Sequence, residues 1–161
     1  MHLSTNNVWK FPPFRRDRSN KVGGGVIVYV KNTVNCIIRP DLHVGSLECI
    51  WLEIKLNNKK YLYGTFYISP TSDLQTWRNI EHSIDLPLNC NHNIILTGDF
   101  NINQLSSNIN DTMGSLMTQL SLHQLITKPA YVTEYNSSLL DFILVSNPLS
   151  VLFTHSSLRQ G

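Results

Sequence analysis

The chain has 161 residues, a length that usually folds around a single core, and it is read as one domain over residues 1–161. A hydrophobic fraction of 42% against 15% charged residues excludes a disordered polyelectrolyte, and a formal charge of +2 neither demands nor forbids a polyanionic partner. The opening "MHLSTNNVWK" lacks the apolar segment of a secretory signal, and no later run approaches the ~20 apolar residues of a membrane span. A soluble intracellular protein, cytoplasmic or nuclear and without membrane contact, is therefore expected. The three cysteines, Cys36, Cys49 and Cys90, are too scattered for a disulfide framework or a zinc site.

Between Lys10 and Lys21 the bases Lys10, Arg15, Arg16, Arg18 and Lys21 meet a single acid, Asp17, with Trp9, Phe11 and Phe14 interleaved. Such a segment is either a solvated loop pinned by aromatics or an arm that contacts phosphates. Gly23, Gly24 and Gly25 then lead into "VIVYVK", a β-branched and aromatic strand. Pro40 and Asp41 suit a turn.

In "SLECIWLEIKL", Ile50, Leu52 and Ile54 alternate with Trp51 and Glu53, which is strand periodicity. After a turn at Asn57-Asn58, Tyr61, Tyr63, Thr65 and Tyr67 form one side of the next strand and Leu62, Phe66 and Ile68 the other; Pro70 closes it. The period then changes. Ser72 and Asp73 are good helix caps, and Leu74, Trp77, Ile80, Glu81 and Ile84 follow helical spacing up to Pro87, which is expected to stop the helix. "NIIL" reads as a buried strand running into Gly98. Asp111 can cap a second helix through Met113, Leu116, Met117 and Leu120, ending around "LHQLITKP", and "SSLLDFILVS" reads as a last strand. Strands in succession, followed by single helices between strands, predict an α/β sandwich with helices outside packed sheets.

The candidate chemistry begins at "ILTGDFNIN". In an extended segment Asp99 and Asn101 would project to one side while Phe100 enters the core, and Gly98 would permit close backbone approach. A carboxylate beside a carboxamide can take a proton from water, hold a divalent ion and donate to a phosphoryl oxygen. Asp and Asn are equally common turn residues that satisfy their own backbone, so spacing alone leaves both readings open. Asp141, flanked by Leu140 and Phe142, should need a partner for its charge. Tyr67 could donate to a phosphate from its strand end or belong to an aromatic ladder, and Thr133 could be an ordinary strand residue. The six histidines form no zinc-binding cluster, and a Walker-type phosphate loop is absent.

Taken in order, "FRRDRSNKVGGGVIVYVK", "LECIWLEI", "YGTFYISP", "ILTGDFNIN" and "SSLLDFILVS" resemble successive blocks of the exonuclease-endonuclease-phosphatase superfamily. The match is narrower to the apurinic-type endonuclease domain of LINE-type (non-LTR) retrotransposons. The resemblance implies a four-layered α/β sandwich, two packed, mainly antiparallel β-sheets flanked by helices, and hydrolysis of phosphodiester bonds assisted by Mg²⁺ or Mn²⁺. It makes DNA the partner, through nicking that primes reverse transcription, with the full-length form fused to a reverse transcriptase and no obligate protein partner. By motif, Asp99 would align the nucleophile, Asn101 would hold the phosphate, Asp141 would orient a histidine, and Tyr67 and Thr133 would contact the phosphate. Arg15, Arg16 and Arg18 would bind the DNA backbone, and Asp99 and Asn101 would lie nearest a metal.

Two family blocks have no counterpart. Residues 1–20 contain no glutamate for a metal, and no Ser-Asp-His follows "SLRQG". The resemblance is thus to a domain incomplete at both termini, a fragment or decayed copy with impaired chemistry. A non-catalytic nucleic-acid-binding domain and another phosphodiesterase or phosphatase of the superfamily are the alternatives.

Overall fold

The computed structural model describes residues 12–18, 24–90, 93–102, 112–126, 131–132, 137–138 and 141–149. Strands β1 (Phe14–Asp17) and β2 (Gly25–Val28) form a two-stranded ladder, with Phe14 opposite Val28 and Asp17 opposite Gly25. Gly25 sits at φ +119, and a Cβ there would lie 2.3 Å from the Arg16 carbonyl oxygen, so the close approach of the two strands requires glycine.

β3 (Asn35–Ile38) and a 3-10 turn at Pro40–Leu42 lead into β4 (Glu48–Leu56), which pairs with β5 (Lys59–Tyr67). Asn57 and Asn58, at φ 49° and 61°, form the two-residue turn between them. Such a turn needs left-handed backbone at both central positions, which asparagine tolerates. Helix α1 (Leu74–Leu88) carries the chain over to β6 (Asn93–Asp99), parallel to β5. Its cap is Asp73, whose Oδ1 accepts from the Thr76 N–H at 2.8 Å.

Helix α2 (Met113–Gln119), β7 (His123–Gln124), the small ladder of β8 (Tyr131–Val132) with β9 (Ser137–Ser138), and β10 (Asp141–Val145) complete the described elements. The large sheet runs β3-β4-β5-β6-β10-β7.

Alternation along the strands divides the core between the two faces of this sheet. Trp51, Leu62, Phe66, Ile94, Leu96, Phe142 and Leu144 face Ile80 and Ile84 of α1 and Met113 and Leu116 of α2. Ile50 and Leu52 pack on the other side with Val30 and with Phe14, Val26 and Val28 of the small sheet. Helices, six-stranded sheet and two-stranded sheet are stacked in that order, an α/β sandwich. A polar thread crosses the helix side: the Trp51 indole donates to Ser83 Oγ at 2.9 Å, and Ser83 Oγ donates to the Leu42 carbonyl at 2.6 Å. Both groups of the completely buried Ser83 are thereby used.

Four local features depart from the sequence reading. Within the arginine-rich segment Phe14–Asp17 form strand β1, because they find β2 as a partner. Pro87 lies inside α1, which ends one residue later; in a final turn the missing amide forfeits a single bond. The second helix stops at Gln119, and "HQ" forms β7 against β10 instead of extending it. "SSLLDFILVS" is divided between β9 and β10. Asp111, the expected cap of α2, lies outside the described residues.

Candidate active site

The registers of three strand pairs align one transverse row at the end of the large sheet. Glu48 opens β4 and faces Tyr67, the last residue of β5; Tyr67 is level with Asp99, the last of β6; Asp99 is level with Asp141, the first of β10. The side chains of Glu48, Tyr67 and Asp99 in this row share a face of the sheet, the one away from α1 and α2. The carboxyl ends of β5 and β6 therefore bring Tyr67 next to Asp99, where parallel strands commonly present ligand sites. Gly98 makes the approach possible: at φ +146, a Cβ would fall 1.9 Å from the Phe66 carbonyl oxygen.

Beyond Asp99 the extended backbone ends, which corrects the expected mode of convergence. Asn101 has φ 53°, and its backbone N–H donates to Asp99 Oδ1 at 2.9 Å. Its carboxamide Nδ2 donates to the Ile68 carbonyl at 2.8 Å, and the Ile68 N–H donates to the Asp99 carbonyl at 2.9 Å. A local turn, locked to the end of β5, thus holds the two side chains. Beneath it Phe100 is buried, 6.0 Å from the Phe66 ring and 5.2 Å from the Phe142 ring. The observed geometry of Asp-Phe-Asn is a turn: Asp99 spends Oδ1 on it, and among the described residues its Oδ2 accepts no hydrogen bond.

The arginines separate in the same way. Arg15 pairs with Asp17 at 2.6 Å at the exposed surface, a contact of little energetic weight. Arg16 Nε donates to the Leu47 carbonyl at 3.2 Å. Arg18 alone of the three reaches the row. Its Nε lies 2.8 Å from Glu48 Oε1, and its guanidinium carbon is 5.0 Å from the centroid of the Tyr67 ring. The Glu48 hydrogen bond, with Tyr67 adding to it, holds the Arg18 pKa above its ordinary value. Thr133 and the Asp141 side chain lie outside the described residues. The row thus gathers Tyr67, Asp99, Asn101 and Arg18, and leaves Arg15 and Arg16 on the small sheet.

Two other features lie on the helix side of the large sheet. Cys49 Sγ is 3.4 Å from His43 Nδ1, and burial pushes the thiol up to about 12 and lowers the His43 pKa, which favours the neutral form of each group. A groove between α1 and α2, lined by Trp77, Glu81, Leu116 and Gln119, opens on the opposite side of the sheet from the row. Among the described residues no group of three or more His, Cys, Asp or Glu side chains comes together to hold a metal ion. Among them, too, no helix is long and apolar enough to cross a membrane.

An α/β sandwich with tyrosine, aspartate and asparagine gathered at the carboxyl ends of adjacent parallel strands is a scaffold suited to handling phosphoesters. The chain belongs to the endonuclease/exonuclease/phosphatase family, whose model matches residues 2–161. In fold it is similar to the endonuclease domain of TRAS1, a telomere-specific non-LTR retrotransposon, at 16% identity and a TM-score of 0.62, covering 84% of this chain and 68% of that one. The human Nocturnin catalytic domain matches at 11% identity over 74% of this chain and 51% of its own, with a TM-score of 0.49. A mannosyl-6-phosphatase of Bacteroides thetaiotaomicron matches at 19% identity over 62% and 43%, with a TM-score of 0.41. The chain spans about half or less of the latter two. No curated protein matches it in sequence.

Glu48 was not among the residues singled out from the sequence. Its signal was present: a two-residue turn at Asn57-Asn58 pairs Leu56 with Lys59 and, counting outward, Glu48 with Tyr67.

Proposed function

We propose that this chain supplies the phosphate-handling part of a DNA endonuclease domain of the non-LTR retrotransposon kind. The observation that carries the reading is the single row in which Tyr67 adjoins Asp99, with Asn101 locked immediately beyond. Tyr67 and the Asn101 carboxamide are the groups that would face the phosphodiester, and Asp99 would align the attacking water. Arg16, bonded through Nε to the Leu47 carbonyl and to no carboxylate among the described residues, places positive charge beside the row, which favours a polyanion over a small neutral substrate. The glutamate and histidine blocks that the motif calls for are not among residues 1–161, so for these residues assayed alone binding is expected to outlast cutting.

The test combines two measurements. Fluorescence anisotropy of a labelled DNA duplex should show salt-sensitive binding that weakens in Tyr67→Phe and Asn101→Ala. Supercoiled plasmid with Mg²⁺, against an EDTA control, should show little nicking. Failure to bind duplex at low salt would refute the reading. Robust Mg²⁺-dependent nicking that disappears in Asp99→Ala would instead refute only the impaired half of it, and show an active endonuclease.

A further inference from the structure

Three independent contacts converge on Arg18. Its Nε is bonded to Glu48 Oε1, its guanidinium carbon lies 5.0 Å from the centroid of the Tyr67 ring, and a Cβ on Gly24 would come within 3.1 Å of the same guanidinium. Gly24 sits at φ +86 and bounds the third side of the slot, where a side chain would crowd the guanidinium. Glu48 and Tyr67 are direct cross-strand partners, which fixes the distance between the anchor and the ring. Glu48 Oε2 is buried and makes no hydrogen bond among the described residues, so its one described polar contact, through Oε1, goes to Arg18. A solvated phosphate-binding arginine does not look like this: the charge of Arg18 is matched by a carboxylate and its plane is committed to an aromatic ring.

We infer that Arg18 and Glu48 are positioning residues for Tyr67, an ion pair that holds the guanidinium across the phenol so that its hydroxyl meets the phosphodiester in one pose. The inference rests on the proposed reading of Tyr67 as a phosphate contact. It assigns Arg18 a different job from a backbone-binding charge and adds Glu48, an acid that a polyanion site would otherwise be better without. Only arginine meets the geometry, since its planar fork can donate to Glu48 while lying over a ring, whereas a lysine ammonium is a point charge on a flexible stem.

The experiment is duplex binding by anisotropy across a salt series, for the whole chain and for Arg18→Lys, Glu48→Gln, Tyr67→Phe and the pairs with Tyr67→Phe, with thermal melts confirming the fold. Arg18→Lys and Glu48→Gln should each weaken binding by about three- to tenfold, the scale of a lost cation–π contact, without changing the salt slope. In the Tyr67→Phe background both effects should disappear, because the residues act through that hydroxyl.

A merely structural role predicts the same loss in either background, and so overturns the proposal. A direct phosphate contact predicts that Arg18→Lys is tolerated, that loss of the positive charge in Arg18→Gln lowers the slope by about 0.9, and that Glu48→Gln tightens binding; any of these overturns it. If Tyr67→Phe alone leaves binding unchanged, the reading of Tyr67 fails. If Tyr67→Phe weakens binding and the other two variants do not, that reading stands and only the positioning role falls.

Discussion

Replacing Gly98 with alanine tests how the fold builds the row. The added Cβ would sit 1.9 Å from the Phe66 carbonyl oxygen, 2.8 Å from its carbon and 2.9 Å from the Phe66 nitrogen. A carbon and a carbonyl oxygen ordinarily approach no closer than roughly 3.3 Å, so β5 and β6 must part by about 1 Å or more where Tyr67 adjoins Asp99. A backbone strand cannot yield as a side chain can. The φ of +146 adds roughly 1–2 kcal/mol of strain, and one or two disturbed ladder bonds add about 1 kcal/mol each, for a total of roughly 2–4 kcal/mol.

At about 2–4 °C per kcal/mol for a chain of this size, the melting temperature should fall by roughly 10 °C. The comparator is Gly45→Ala. Gly45 is also left-handed, at φ +59, but its Cβ would meet only the Asn79 carboxamide, 2.9 Å away, which can rotate aside. Circular dichroism melts of both variants decide the matter: Gly98→Ala should lose at least twice as much as Gly45→Ala. Equal losses would show that the strand-to-strand clash has been misjudged and that left-handed strain alone sets the cost.

Ser83→Ala should destabilise the chain by about 2 kcal/mol, because the Trp51 indole N–H and the Leu42 carbonyl lose their shared partner inside the core; denaturant unfolding reads this, and a loss below about 0.5 kcal/mol would contradict it. Acid should destabilise the sandwich through Glu53 and Asp41. Lys60 and then Arg39 hold Glu53 below its ordinary 4.5, and Arg39 holds Asp41 below 3.8. Folded values below the unfolded ones mean that this stability is present above about pH 4.5 and is lost as pH falls through the depressed values. Melts between pH 7 and pH 3 should therefore show a steeper acid decline in the native chain than in Glu53→Gln.

The hairpin of β4 and β5 was legible because three signals agreed over more than fifteen residues: alternation, β-branched and aromatic composition, and a turn pair that accepts left-handed backbone. Helix α1 was legible from its cap and its spacing. β1 was not, because "FRRD" has no apolar face of its own and becomes a strand only by pairing with β2. The local path at Asn101 was also hidden. An extended continuation and a left-handed turn both keep Asp99 and Asn101 close, and the choice between them is made by the Ile68 carbonyl, thirty-three residues away in sequence.

The arginines show what a charge count cannot supply. Arg15, Arg16 and Arg18 fall within a four-residue stretch and read as one basic patch, yet each meets a different partner: an aspartate, a backbone carbonyl, and a carboxylate with a ring. Were all three to contact phosphates, neutralising them would lower the salt slope of DNA binding by about 2.7, at roughly 0.9 for each. On the proposed reading Arg16 is the one whose charge has no carboxylate partner among the described residues, so Arg16→Gln should lower the slope by about 0.9 and Arg15→Gln scarcely at all. Arg18 should change affinity and leave the slope alone. On that reading the β1–β2 ladder would serve DNA binding chiefly by fixing the pose of Tyr67, and the opposite ordering of the slopes would return it to the simpler role of a cationic arm.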